Sequence, residues 1–289
     1  MQTAAVRQNF RMSSSGIFPA CARSKSRRNA RFSSISATSA PTYTEISCIK
    51  DGVGIDAVSG GGGLLTLPTF LLIGFPVHLV AGTNQCACLL GAVTALIRYM
   101  RGGKIYWFTA ILSAVNAVIG SLLGARLNLL IPEEYLRYIM LLMLPVVAVL
   151  ILVNKDFGKE NRIDTLSKKQ MIIRSVLIGL FLGAYIGFYG AGGGTFVLLS
   201  FAVFLKLDLV GASGNAKVCG TAATFTASLT YALSGMVVWN AVVCASVFNV
   251  AGNYLGAGLA LKKGAKVIRP MFILVLILLF VRIICDMIL

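Results

Sequence analysis

The stretch GAGGGTFVL, residues 190–198, lies inside the apolar run 171–205 and decides how the chain is read. Four of its first six residues are Gly, each costing about 1 kcal/mol relative to Ala inside a helix. As one helix, 171–205 would extend about 52 Å at about 1.5 Å per residue, against a bilayer core of about 30 Å. The run therefore reads as a helix that breaks and turns at 190–194 and continues as a short, tilted or half-depth helix. A second cluster, SGGGGLLTL at 59–67, repeats the pattern.

The surroundings of these clusters set the class. Of 289 residues, 57% are hydrophobic and 12% charged, and several windows of about 20 apolar residues match the thickness of a bilayer core. A β-barrel would alternate polarity instead. The chain is expected to be an all-α polytopic membrane protein with the lipid bilayer as its partner. Apolar segments fall near 62–80, 82–98, 105–127, 135–153, 171–205, 209–232, 237–261 and 267–288. The net charge of +16 is concentrated at the start. Residues 1–58 form a basic, Ser- and Arg-rich leader, with no acid before Glu45. It reads either as an organelle transit peptide or as a disordered basic tail on the cytosolic face, so organelle and plasma membrane both stay open. A nucleic-acid partner is not expected. The seven Cys include no CxxC, and His78 is the single histidine, so neither a metal nor a cofactor is expected. An intramembrane enzyme would need a nucleophile–base pair or a metal cluster, which this composition does not offer.

The two clusters belong to an internal repeat. A shift of 131 residues lays GGG at 61–63 on GGG at 192–194 and AGTNQ (81–85) on ASGNA (212–216), with Asn84 over Asn215. A shift of 132 lays Trp107 on Trp239 and VIGSLLGARL (118–127) on VAGNYLGAGL (250–259). Two homologous four-helix repeats follow, 59–153 and 171–289, joined by a charged loop at 154–170, each with a Gly-broken first helix. The first is truncated at its start, because the polar residues 40–58 cannot cross a membrane. If the chain turns back at 190–194, the basic loops containing Lys104, Lys168, Lys206 and Lys262 collect on one side, as the bias of Lys and Arg toward one face requires. The repeats are then inverted relative to each other.

A glycine-rich break at 59–63 and again at 190–194, a following apolar helix with Pro68 in the first copy, and Ala81, Gly82, Thr83 and Asn84 make residues 54–289 resemble the sulfite exporter TauE/SafE family of membrane permeases. The second copy departs from this pattern, with Leu199 in place of Pro68 and Gly214-Asn215 in place of the Thr-Asn pair. The resemblance implies export of a small inorganic or organic anion, sulfite or an organosulfonate. The alternative is a non-transporting membrane assembly or packing component, with its glycines serving only close helix contact.

The residues themselves point the same way. Helices that start after Gly61, Gly62 and Gly63 and after Gly192, Gly193 and Gly194 would direct free N–H groups and a positive dipole end at the break. Thr83, Asn84 and Asn215, with Ser213, begin the next helices. Their side chains either cap those helices or donate to an oxyanion. Lys217 lies within a membrane segment, where a charge is costly and marks function by default; snorkelling to the interface is the other reading. Cys88 and Cys219 are expected to pack as small apolar residues, GSLLG (120–124) and GNYLG (252–256) to pack helices, His78 to lie in an interfacial loop, and Asp56 and Asp208 to be solvated.

Overall fold

The computed structural model describes residues 67, 76–132, 134–136, 161 and 163–263. The leader, the first glycine cluster with Gly61, Gly62 and Gly63, and the segments 135–153 and 267–288 fall almost wholly outside the described residues.

The described residues are helical and contain no strand. Helix α1 runs Val77–Arg101 and α2 Trp107–Leu130. Helix α3 spans Lys168–Phe188, with a π-helical turn at Ile178–Leu182. Helices α4 (Gly193–Phe204), α5 (Leu209–Leu233) and α6 (Trp239–Lys263) follow. Among the described helices α1, α2, α3 and α6 are long and apolar enough to cross a membrane. Helix α5 is as long but carries Ser, Thr, Asn and Lys along its length. The reason is its position. It packs against α1, α2, α3 and α4, so it faces protein on most sides and lipid on few.

Polarity is turned inside out relative to a soluble bundle. Phe108, Ile111, Val115, Leu123 and Leu127 of α2 and Val243, Val247 and Leu255 of α6 are exposed, while Asn84, Gln85, Ser113, Ser121, Asn215 and Asn249 are buried. Apolar side chains face outward because lipid rather than water surrounds the helices, and the inward polar groups bond across helices.

The contacts fix which helices run together. Helix α6 runs parallel to α1: Thr83, Ala87 and Arg98 meet Val238, Ser246 and Tyr254 in that order. Helix α2 runs parallel to α5, with Asn215, Cys219 and Ala223 meeting Tyr106, Ser113 and Ser121. Helix α3 is parallel to α2, and Gly179, Gly183 and Gly187 let the two backbones touch. A Cβ at Gly179 would stand 2.2 Å from the Ser113 carbonyl oxygen, and one at Gly187 would stand 2.1 Å from that of Ser121. Helices α1 and α5 are antiparallel, since Gly82 packs on Tyr231 while Cys86 faces Ser228. GSLLG (120–124) is a packing surface as expected: Gly120 and Gly124 lie against the backbone of Leu180 and Ala184.

The chain reverses at the second glycine cluster. Gly190 and Gly192 hold φ of 80° and 70°, a left-handed backbone that costs other residues about 1–2 kcal/mol. Helix α4 returns along α3, so that the Arg174 guanidinium donates to the Phe204 carbonyl at 2.6 Å. This reversal brings the last turn of α1, the starts of α2, α3 and α5, and the end of α6 to one end of the bundle. Among the described side chains, Arg98, Arg101, Lys104, Lys168, Lys169, Arg174, Lys206 and Lys262 lie at that end, Arg126 lies toward the other, and Lys217 lies between. Tyr106 sits at the basic end outside the spans. Burial pushes its hydroxyl up, the nearby charge of Asp208 adds to this, and a hydrogen bond from Asn161 opposes it.

Three sequence expectations are corrected. Helix α1 is continuous through 80–82 because it starts at Val77, directly after Pro76. Asn84 and Asn215 therefore lie inside the second turns of α1 and α5 and cap neither helix; the cap of α5 is the partly exposed Asp208, which accepts from the Gly211 N–H. His78 lies in the first turn of α1, not in a loop, with Nδ1 3.4 Å from Asn128 Oδ1.

Candidate anion site

The glycine turn, α1, α5 and α6 enclose a cavity of about 60 Å³. A single water needs roughly 10–15 Å³, so the space suits a solute of a few heavy atoms. Gln85 and Cys88 line it from α1, Gly190 and Gly194 from the turn, Lys217, Gly220 and Thr221 from α5, and Asn249 and Asn253 from α6. Among the described residues no Asp or Glu lines it.

Each wall has a local cause. Gly192, left-handed, stands directly before α4, and the first N–H groups of a helix have no intrahelical partner. The positive end of α4 thus lies beside Gly194 at the cavity. Gly193 does not line the cavity; a Cβ there would stand 2.5 Å from Ile186 Cγ1. Gln85 closes the opposite side by donating its amide to the Ile186 carbonyl, and its Nε2 would stand 2.6 Å from a Cβ built at Gly190.

Lys217 reaches the cavity from α5. Its Nζ donates to Asn253 Oδ1 at 3.2 Å. Asn253 Nδ2 donates to Asn249 Oδ1 at 2.7 Å, and Asn249 Nδ2 to Cys88 Sγ at 3.4 Å. The Cys88 thiol in turn faces Asn84 Oδ1 at 3.7 Å. A chain of side chains thus runs from Lys217 through α6 to Asn84 in α1. Among the described residues, the hydroxyl of Thr221 at the cavity wall is buried without a hydrogen-bond partner, and so is that of Thr195, which does not line the cavity but lies in the first turn of α4. An unmet buried hydroxyl costs about 1–3 kcal/mol, so the Thr221 hydroxyl is poised to meet an added acceptor.

Of the residues singled out by sequence, the structure brings Gly194 and Lys217 to the cavity. Thr83 and Asn215 are used elsewhere. Asn215 Oδ1 accepts the Tyr106 N–H at 2.8 Å while its Nδ2 donates to Thr109 Oγ1 at 2.8 Å, and Thr83 Oγ1 accepts the Val238 N–H at 3.0 Å. Each clamps the residue before a Trp that opens a helix of the other half. Cys88, expected to pack, lies at the cavity wall, whereas Cys219 does pack, fully buried with its thiol facing the Ser113 carbonyl.

Sequence reasoning missed Gln85, Thr221, Asn249 and Asn253. The i, i+4 pair Asn249 and Asn253 in an apolar helix carried a usable signal, since two amides on one face of a membrane helix need partners.

The profile of the sulfite exporter TauE/SafE family matches residues 52–283. A probable membrane transporter protein of Haemophilus influenzae is 28% identical over 236 residues, covering 80% of this chain and 90% of that one. The probable membrane transporter protein YfcA of Escherichia coli (strain K12) is 27% identical over 234 residues, covering 80% and 85%. No solved structure matches the chain significantly. With its outward apolar helices and a family profile over most of its length, this integral, multi-pass membrane protein belongs to the sulfite exporter TauE/SafE family of membrane transporters.

Proposed function

We propose that the protein carries a small anion, sulfite or an organosulfonate, across its membrane through the cavity around Lys217, acting as a transporter and not as an enzyme. The observation that carries this reading is the pairing of one ammonium with the positive end of α4 in a small cavity that no carboxylate among the described residues lines. An oxyanion would accept from the Lys217 Nζ, the N–H groups beside Gly194 and the Thr221 hydroxyl, and leave none of its own charge unmet. The amides of Asn249 and Asn253 hold Lys217 in place.

The reading of two inverted repeats is supported by the antiparallel course of α1 and α5 and by two reciprocal contacts. A Cβ at Gly82 would stand 2.0 Å from the Met236 carbonyl oxygen and one at Gly214 would stand 2.4 Å from that of Lys104, while Thr83 and Asn215 clamp Val238 and Tyr106. Read at these contacts, a shift of 132 relates Gly82 to Gly214 and Met236 to Lys104. Thr83 then corresponds to Asn215, and Gln85 to Lys217. Equivalent positions face one cavity, and only one of them is charged. On this reading Gly61, Gly62 and Gly63 form the counterpart of the 190–194 turn.

The test is flux of sulfite, sulfoacetate and sulfate in proteoliposomes containing the full chain. Wild type is expected to move at least one of them, with loss in Lys217→Ala and Gly193→Leu. Transport of none, or equal transport by both variants, overturns the site and favours a packing or assembly role.

A further inference from the structure

A second, larger recess of about 440 Å³ lies between the C-terminal turns of α1 and α6 and shares no residue with the cavity around Lys217. Arg98, Arg101 and Lys262 line it together with Thr94, Ile97 and Tyr254. Neither α1 nor α6 contains an Asp or Glu, so three cations converge with no acid from their own helices to neutralise them. Attraction to the negative end of a helix accounts for cations in last turns and would suffice for Arg101 and Lys262, which are exposed. It does not account for Arg98. That guanidinium lies 4.0 Å over the Tyr254 ring and donates to the Tyr254 carbonyl at 2.6 Å. Its seat exists because residue 258 is Gly: a Cβ there would stand 2.4 Å from Arg98 Nη2. The side chain is thus held along the groove by a cation–π contact and the bond to the Tyr254 carbonyl.

The flanks of the recess are lipid-facing. Ile97 and Tyr254 are 45% and 54% exposed, and Leu90, Val93, Leu255 and Leu259 continue the exposed apolar surface along both helices. A cationic pocket directly above such a surface matches a molecule with an anionic head and apolar tails, and fits a freely diffusing anion less well. We propose that the groove between α1 and α6 binds the phosphate head group of an acidic phospholipid, held by Arg98, Arg101 and Lys262, with its acyl chains along Ile97 and Tyr254. Arg98 is the orienting group, because a planar fork can take a phosphate in a bidentate way. Arg101 and Lys262 add attraction.

The test is native mass spectrometry of the detergent-purified full chain with equimolar phosphatidylglycerol and phosphatidylcholine. A parallel arm measures thermal midpoint with each lipid and with inorganic phosphate. Phosphatidylglycerol is expected to be retained preferentially and to raise the midpoint. The double variant R101Q/K262Q is expected to bind it roughly ten- to thirtyfold more weakly, with an unchanged midpoint in phosphatidylcholine showing that the fold is intact. Arg98→Lys is expected to weaken retention while keeping the charge. Equal retention of both lipids, or undiminished retention by the double variant, overturns the proposal. So does equal protection by inorganic phosphate, which would make the groove a vestibule for soluble anions.

Discussion

Helices α1 and α5 are both 25 residues long, lie antiparallel and face the same cavity, yet they are built differently. Helix α1 starts at a proline without a side-chain cap, is apolar enough to cross a membrane, and presents the neutral Gln85. Helix α5 is capped by Asp208, is too polar along its length to rank with the spanning helices, and presents Lys217. The difference teaches that mean hydropathy reports which helix touches lipid, not which helix is central. The helix that supplies the charge is the one most enclosed by protein, where amides of a neighbour can hold an ammonium at lower cost.

The comparison can be broken by moving the charge. Lys217→Gln is expected to lower anion flux about ten- to hundredfold, the worth of a hydrogen bond to a charged group. The double variant Gln85→Lys/Lys217→Gln restores part of it if the two positions are equivalent faces of one site. Flux in proteoliposomes reads both, and no recovery in the double variant counts against the equivalence. A smaller effect separates the two clamps. Asn215→Leu strands the Tyr106 N–H and also removes the amide that donates to Thr109 Oγ1, so a loss of about 2 kcal/mol is expected, against about 1 kcal/mol for Thr83→Val, which strands a single N–H. Thermal unfolding in one detergent ranks the pair. Smallest of all, Asp208→Ala should cost about 0.5 kcal/mol through loss of the α5 cap, whose bond is long at 3.4 Å, and leave anion selectivity unchanged, measured as the ratio of sulfite to sulfate flux.

Much of the architecture was legible. The length of 171–205, set against the bilayer and combined with four glycines, pointed to the reversal that the structure places at 189–192 with positive φ at Gly190 and Gly192. The charge of the loops gave the grouping of Lys104, Lys168 and Lys262 at one end. Legibility ended where a side chain had two uses open to it. Asn215 has the chemistry of an anion ligand, but both sides of its amide are taken by Tyr106 and Thr109. Within the proposed repeat, the contacts at Gly82 and Gly214 would pair Asn215 with Thr83, where residue type pairs it with Asn84. Cys88 and Cys219, alike in sequence, end at a cavity wall and in a packed seam.

By itself, then, the sequence determined that the chain is helical and membrane-embedded, that it turns back at 190–194, and that Lys217 lies well inside an apolar segment. These are properties of hydropathy, length and local backbone freedom, each carried by consecutive residues. Only the tertiary structure decided that Gln85, Thr221, Asn249 and Asn253 join Lys217 and Gly194 around one cavity while Thr83 and Asn215 hold the helices together. Those roles depend on which buried donors and acceptors meet across helices distant in sequence, and a polar group in a lipid-surrounded bundle is assigned by the partner it finds.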